Sequence, residues 1–288
     1  SNYSVSVSEV SPQMITQAED ILNQFTDNPR KDNSLLEQLF ALLPRKMKNV
    51  ADYLLPADAE PEQIQNVIDR ETDLLRMMET QMQALPSNDS KEKTLLEEWN
   101  LSITPVNNEK ELRQIKRHMG HSADCFSKAF RVKNSNRDNA FWNYYDKHNY
   151  HKEDIHYWYH GSRNMNCLSI LHNGLILNPK APKVGHMFGY GIYLAPKAKK
   201  SIGYTSLNGS FWVHGTSDTA YLFVMKTVYK SPYHVYTWTS GMKSLTKSRI
   251  SPHDAVFAHA GTSLRNDEVV IFDDAQVTLQ YIIELKQQ

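Results

Sequence analysis

Glycine is absent from the first 98 residues, and all 11 glycines of this 288-residue chain lie beyond them. Such a stretch needs few tight turns, which favours helices. Cysteine is also scarce: Cys125 and Cys167 lie far apart and show no CxxC spacing. This argues against a disulfide scaffold or a thiolate zinc site and favours a reducing compartment.

Long apolar runs are missing as well. No apolar run approaches the roughly 18 residues of a membrane helix. The sequence also does not begin with the basic and then apolar segments that are typical of a secretion signal. We therefore expect no membrane partner and an intracellular protein, nuclear or cytoplasmic in a eukaryote and cytoplasmic in a bacterium.

The net charge is zero, but the charges are unevenly distributed. Residues 1–98 hold 18 acidic and 9 basic side chains, and residues 99–288 hold 14 and 23. The two halves are thus oppositely charged, which fits two segments that dock. It also fits a basic half that handles a small anionic ligand. A basic tail typical of nucleic-acid binding is not seen.

The pattern of apolar and polar residues changes near residue 99. Residues 11–85 show apolar side chains at helical spacing, with Pro44 ending one helix and Pro61 opening another. The polar, turn-rich residues 85–90 form the linker candidate. We predict a helical domain over residues 1–98 and a second domain over 99–288.

The second domain has the pattern of an α+β fold. Two helices are predicted near residues 108–118 and 138–148, and the rest is mostly short strands without β-α-β alternation. The predicted strands are 101–106, 126–132, 157–160, 191–194, 221–229, 255–259, 269–272 and 277–285.

Four segments carry chemically active side chains: residues 159–163 (YHGSR), 187–195 (MFGYGIYLA), 200–204 (KSIGY) and 266–273 (NDEVVIFD). A strand that ends in His-Gly leaves bare backbone beside an imidazole, so a planar amide can approach the main chain. Tyrosine rings can stack on an aromatic ligand. A carboxylate can stabilise the positive charge that develops when a glycosidic bond breaks.

Each of these features also has an ordinary interpretation. A single histidine on a strand is usually structural, the tyrosines can be core aromatics, and Glu268 can be a solvated strand end. Gly189-Tyr190-Gly191 lacks the strand-turn-helix context of a dinucleotide fingerprint. Residue spacing alone does not choose among these interpretations.

Taken together and in order, the four segments resemble the catalytic domain of the poly(ADP-ribose) polymerase family. The resemblance covers roughly residues 155–205 and 264–286 and is weaker over 100–154. It implies an ADP-ribosyltransferase-type mixed β core behind a short helical, regulatory-like segment. It further implies that NAD⁺ is a co-substrate from which nicotinamide is released.

The resemblance also implies roles at the nicotinamide end of NAD⁺. His160 would hold the ribose through its 2′-hydroxyl. Gly161 would bind the carboxamide through its backbone, and Ser201 would bind it through its hydroxyl. Tyr204 would stack on the nicotinamide ring, with Tyr193 behind it or opposite.

Further roles follow from the same resemblance. Glu268 would polarise the ribose, stabilise the oxocarbenium-like state and orient the acceptor, completing the family's His-Tyr-Glu triad. Ser162 and Asn166 match positions near the adenosine ribose. Lys200 matches a lysine that lines the site near the glutamate.

With its intact glutamate, the chain resembles the family members that elongate chains. We therefore expect elongation of poly(ADP-ribose) on protein acceptors, including the enzyme itself. Transfer of a single unit, an NAD⁺-binding module without turnover, and transfer to nucleic acid stay open as alternatives. Residues 231–262 would form the acceptor region. The helical segment would either restrict NAD⁺ access or serve as a packing cap.

The chain departs from the family pattern at three positions. Ile176 stands where the family often has an arginine, which could shift the pyrophosphate contact to Lys180 or Lys183. His186 replaces a tyrosine, and Leu194 replaces a phenylalanine. We expect lower NAD⁺ affinity rather than loss of turnover.

No metal is expected. Four histidines can be considered as zinc ligands: His148, His151, His156 and His160. They lack a nearby cysteine or carboxylate at ligand spacing, so a zinc site is a poor interpretation.

Overall fold

The computed structural model describes residues 10–29, 33–43, 45, 47, 49–83, 94–177 and 186–287. The chain divides into two compact units, residues 1–90 with 178–186 and residues 91–177 with 187–288. The predicted linker at residues 85–90 lies outside the described residues. The domain boundary after residue 98 stays a prediction.

The first unit is helical. Its helices are α1 (Pro12–Asp27), α2 (Ser34–Leu42) and α3 (Pro61–Gln83), with a 3₁₀ turn at Val50–Tyr53. The Ser11 hydroxyl caps α1 by accepting from the Met14 amide at 3.2 Å. Pro61 is the first residue of α3, as the sequence predicts.

The apolar stripes of these helices form a core of their own. Its fully buried members include Ala18, Leu22, Leu36, Leu39, Leu74 and Met78. Glu71 pairs with two arginines in this unit: Arg45 Nη1 is 2.7 Å from Oε2, with 1% of each side chain exposed, and Arg70 Nε is 3.0 Å from Oε1. A buried charge needs a partner of this kind.

The second unit carries the sheets. It begins with a one-turn helix, α4 (Leu95–Glu98), which is capped by Thr94 and Glu97. In chain order, its further elements are β1 (Leu101–Pro105), α5 (Glu109–Met119), β2 (Phe126–Asn134), α6 (Ser135–Lys147), β3 (Ile155–Gly161), α7 (Cys167–Asn173), β4 (Ile192–Leu194), α8 (Ala198–Ile202), β5 (Thr219–Val228), β6 (Pro232–Val235), α9 (Lys247–Ile250), β7 (Ala255–Ala258), β8 (Glu268–Ile271) and β9 (Val277–Lys286).

The strands form two sheets. The first has the order β1-β2-β9-β5-β3 and is antiparallel throughout. The second has the order β4-β8-β7-β6, in which β6 and β7 are parallel and the other pairs are antiparallel. The α+β fold class predicted from the sequence is confirmed.

Several short elements were not predicted. α7, α8 and α9 interrupt a region that we expected to be mostly strands and turns, and β6 adds an edge to the second sheet. Helices of four to seven residues are too short to show a helical period. The eight strands and two helices predicted for this unit are all present.

Candidate active site

The end of β3 is the first part of the site. β3 is an edge strand, and its register places His160 opposite Phe223 and Gly161 opposite Leu222 of β5. On its outer side, Tyr159 exchanges two backbone hydrogen bonds with Ala195, at 2.8 and 2.9 Å. Successive residues of an antiparallel strand point their N–H and C=O groups to alternate sides. Those of Gly161 therefore point outward, as those of Tyr159 do.

Gly161 lies directly against α8. A Cβ atom built on Gly161 would be 1.7 Å from the carbonyl oxygen of Ser201 and 2.6 Å from its carbonyl carbon. No side chain fits in that space, so close packing of the two backbones requires glycine. The Ser201 side chain is buried at this junction, with 4% of the residue exposed.

The His160 side chain is oriented by β4, the first strand of the second sheet. Its Nδ1 lies 3.1 Å from the carbonyl oxygen of Tyr193, in β4. Since a carbonyl oxygen only accepts, we assign the hydrogen to Nδ1, which makes Nε2 of the neutral ring an acceptor. An acceptor nitrogen of this kind suits a ribose hydroxyl.

The Tyr193 phenol closes the turn that precedes its own strand. Its hydroxyl donates to the Gly189 carbonyl at 2.6 Å and accepts from the Phe188 amide at 3.0 Å. Burial raises the pKa of this phenol, and the nearby charge of Glu268 raises the pKa further. The hydroxyl therefore stays protonated and fixes the turn, while the ring packs on the buried cluster that contains Phe188.

Glu268 and Lys200 form an ion pair. Their side chains are 13% and 9% exposed. Lys200 Nζ also donates to the Asn266 carbonyl oxygen at 3.3 Å. Glu268 is the first residue of β8 and points to the same face of the second sheet as Tyr193, because Tyr193 pairs with Val270, two residues further along β8.

Tyr204 follows α8, and its amide donates to the Ser201 carbonyl at 3.0 Å. Its ring is 38% exposed and stacks on Trp212, with ring centroids 5.8 Å apart and an interplanar angle of 17°. The Trp212 amide donates to the Gly203 carbonyl at 2.9 Å. Sequence reasoning missed Trp212, because residues 206–217 show no period that would place it.

Ser162 and Asn166 meet at the 3₁₀ turn Asn164–Asn166, which precedes α7. The Asn166 side-chain amide donates to the Ser162 hydroxyl at 2.6 Å. Asn166 is 7% exposed, and its Oδ1 has no hydrogen-bond partner among the described residues. The structure thus brings Ser162 and Asn166 together. The Asn166 Oδ1 atom is a buried acceptor that has no partner among the described residues.

The three departures from the family pattern lie in different surroundings. Ile176 is 43% exposed, and Leu194 is buried at 2%. His186 belongs to the helical unit, and burial lowers the pKa of its ring. Lys180 and Lys183 lie outside the described residues.

Two of the histidines checked for a metal, His156 and His148, have other partners. His156 stacks on Trp158 and on Tyr229, at centroid distances of 5.3 and 4.3 Å, and His148 Nδ1 lies 2.9 Å from the Tyr144 carbonyl oxygen. The described residues contain no group of three or more His, Cys, Asp or Glu side chains placed to hold a metal. None of their helices has the length and apolar character of a membrane span.

Comparison with known proteins gives the family. The family model described as the poly(ADP-ribose) polymerase catalytic domain matches residues 109–287, which is more than half of the chain. The chain belongs to the poly(ADP-ribose) polymerase catalytic domain family. The matched region contains every residue of the candidate site described above.

The relatives of this chain include a "Poly [ADP-ribose] polymerase" of Drosophila melanogaster, 31% identical over 147 residues, or 44% of this chain and 15% of that protein. "Poly [ADP-ribose] polymerase 1" of Gallus gallus is 31% identical over 153 residues, which are 44% of this chain and 14% of that protein. "Poly [ADP-ribose] polymerase 2" of Arabidopsis thaliana is 25% identical over 225 residues, which are 66% and 34%. The match thus spans about 15% of the length of the first of these curated relatives.

Proposed function

We propose that this chain transfers ADP-ribose from NAD⁺ to an acceptor and releases nicotinamide. One continuous chain of contacts carries the proposal. His160 is bonded to Tyr193, Gly161 packs on Ser201, and Lys200, the neighbour of Ser201, pairs with Glu268. An imidazole, the outward-facing backbone of Gly161 and a paired carboxylate are thus linked by direct contacts, which supports the proposal.

The nicotinamide end would bind at the outer edge of β3. The carboxamide would exchange hydrogen bonds with the N–H and C=O of Gly161, and the Ser201 hydroxyl would add a third. The exposed ring of Tyr204 would stack on the pyridinium ring. These contacts are directional, so they hold the glycosidic bond in one orientation.

Glu268 would act at the ribose. The bond between C1′ and the nicotinamide nitrogen breaks, and its electron pair neutralises the pyridinium charge. C1′ and the ring oxygen then share the positive charge of an oxocarbenium-like state, which the Glu268 carboxylate stabilises. An acceptor oxygen adds to C1′, and the proton of a hydroxyl acceptor passes to a carboxylate or to water. Lys200 would hold the Glu268 carboxylate in position.

We further propose protein acceptors, including the chain itself, and the ability to elongate poly(ADP-ribose). The intact glutamate supports elongation, because a carboxylate beside C1′ can also orient a ribose hydroxyl of an earlier unit. Transfer of a single unit is the alternative. The acceptor region proposed at residues 231–262 contains β6, α9 and β7.

The test is incubation of the full chain with NAD⁺ labelled on the adenylate, resolved on a denaturing gel. Wild type is compared with Glu268→Gln and with Glu109→Gln, a control at an exposed position of α5. Nicotinamide release is measured in parallel. A labelled single-stranded oligonucleotide is included as a competing acceptor.

Each outcome selects one alternative. A high-molecular-weight smear that disappears only in Glu268→Gln supports elongation, and a sharp protein band supports transfer of one unit. Label on the oligonucleotide assigns a nucleic-acid acceptor. Bound NAD⁺ without nicotinamide release contradicts the proposal and leaves a binding module.

We also propose that the helical unit regulates NAD⁺ access. The proposal is supported by its separate core, formed around residues such as Leu39 and Met78. A unit with its own core can loosen without unfolding the sheets. A substitution that loosens this unit should then raise nicotinamide release, whereas an unchanged rate would leave the unit as a packing cap.

A further inference from the structure

The turn at residues 187–189 is held from outside by the acceptor region. The indole Nε1–H of Trp238 donates to the Met187 carbonyl oxygen at 2.7 Å. Trp238 lies between β6 and α9, far along the chain from the turn that it contacts. A tryptophan N–H that is partly removed from water needs such a partner.

Trp238 is itself fixed. Its backbone amide donates to the Ser263 hydroxyl at 3.1 Å, and the Lys243 ammonium lies 5.6 Å from its ring centroid. The ring packs on the buried cluster that contains Phe188. The indole therefore presents its N–H to Met187 from a defined position.

A second contact joins the same two segments. Gly189 has a φ of +83°, and a Cβ built on it would be 2.1 Å from the Leu245 carbonyl oxygen. The backbone of the acceptor region thus rests directly on the backbone of the turn. Trp238 and Leu245 together restrict the turn at both of its ends.

From the turn, hydrogen bonds lead to the ribose-binding histidine. Tyr193 Oη bonds to the Gly189 carbonyl and to the Phe188 amide. The Tyr193 carbonyl in turn accepts from His160 Nδ1. A displacement of the turn would move Tyr193, and through it the orientation of the His160 ring.

We propose that Trp238 is a positioning residue for NAD⁺. Although it belongs to the acceptor region, it sets donor affinity by holding the 187–189 turn, and through it Tyr193 and His160. The inference rests on the proposed function, since it assigns NAD⁺ to this site. Its effect falls on NAD⁺ binding, because Trp238 is not assigned a contact with the reacting atoms.

The test uses Trp238→Phe, which keeps an aromatic ring and removes the N–H. Nicotinamide release is measured without added protein acceptor, so that the same acceptors, water and the chain itself, serve every variant. The KM for NAD⁺ should rise roughly three- to tenfold, as expected for one lost hydrogen bond, while kcat changes by less than about twofold. Ser263→Ala, which removes the hydroxyl that anchors Trp238, should raise KM in the same direction by less.

Trp142→Phe is the matched control. Trp142 is 39% exposed on α6, and its ring lies against Tyr145 and Lys226. The KM of Trp142→Phe for NAD⁺ should therefore equal that of the wild type. An unchanged KM in a folded Trp238→Phe variant overturns the proposal, as does a fall in kcat alone. If Trp238→Phe does not fold, the KM of Ser263→Ala decides.

Failure of the proposed function has a different signature. A wild type that binds NAD⁺ but releases no nicotinamide refutes the activity alone. The Kd for NAD⁺, measured by calorimetry on wild type and Trp238→Phe, then tests the role of Trp238. A wild type that does not bind NAD⁺ at all refutes both.

Discussion

Lys200 and Glu268 form an ion pair that joins α8 to the first residue of β8, and 9% and 13% of their side chains are exposed. Lys200 also donates to the Asn266 carbonyl, so the ammonium group is anchored to the main chain next to β8. In such a shielded pair, each charge depends on the other for its stabilisation. The position of the Glu268 carboxylate is therefore coupled to Lys200.

Replacing Lys200 with methionine should reduce nicotinamide release by about 10- to 100-fold, the factor that corresponds to a lost charge-assisted hydrogen bond. Methionine keeps much of the side-chain volume but leaves the Glu268 carboxylate without its cation. Lys199→Met, at an exposed position of α8, is the control and should match wild type. Equal rates in both variants would show that Glu268 does not need Lys200.

Gly161→Ala tests the contact between β3 and α8. Because a Cβ would be 1.7 Å from the Ser201 carbonyl oxygen, one backbone must move, and the proposed carboxamide contacts would move with it. We expect nicotinamide release to fall about 100-fold, the cost of a misplacement near 1 Å. Gly241→Ala is the control, since no atom of the described residues other than its chain neighbours lies within 4 Å of its Cβ position. Near-normal turnover in Gly161→Ala would contradict the assigned role of the strand edge.

Glu71→Gln tests the buried ion pair of the helical unit. Without the carboxylate, Arg45 keeps a charge that is 1% exposed and loses its counter-ion, which should destabilise this unit by about 3–5 kcal/mol. Urea unfolding followed by circular dichroism measures the loss. Glu62→Gln, at an exposed position of α3, is the control. Nicotinamide release from Glu71→Gln also tests the regulatory proposal, which predicts a higher rate.

His156 makes stability depend on pH. Burial lowers the pKa of its ring below the ordinary value of 6.5, although nearby acceptors and carboxylates partly oppose this. The folded state then binds fewer protons than the unfolded state. The contribution of His156 is present above pH 6.5 and is lost as the pH falls through the folded-state pKa.

In His156→Phe, which keeps a flat ring against Trp158 and Tyr229, the loss of unfolding free energy between pH 7.5 and pH 5 should be smaller than in wild type. Chemical denaturation at both pH values measures it. His121→Gln controls for the loss of an exposed imidazole. An identical loss in wild type and His156→Phe would refute the assignment.

Much of the fold could be predicted from the sequence because the longer elements carry a clear period. α3 begins at Pro61 as predicted, and the strand predicted over residues 277–285 is β9 (Val277–Lys286). The candidate side chains could be chosen because the four motifs that contain them resemble, in order, those of the poly(ADP-ribose) polymerase family. The structure links His160 with Tyr193 and Lys200 with Glu268 by direct contacts.

The rest depends on contacts between distant segments, which spacing does not encode. The stack of Trp212 on Tyr204 and the bond from Trp238 to Met187 both arise in loops without a period. The steric need for glycine at position 161 also arises from a neighbour forty residues away, Ser201. The roles assigned to the site residues remain predictions that the substitutions above can test.

β9 follows every other described strand in the chain, yet it lies in the middle of the first sheet, between β2 and β5. During synthesis, the edges of β2 and β5 that pair with β9 therefore stay unpaired until the ribosome has added residues 277–286. Strand edges that stay open in this way are exposed to chaperones and to aggregation. A nonsense mutation shortly before residue 277 would remove the middle of the sheet rather than its edge, and the truncated product should be recognised as unfolded and degraded.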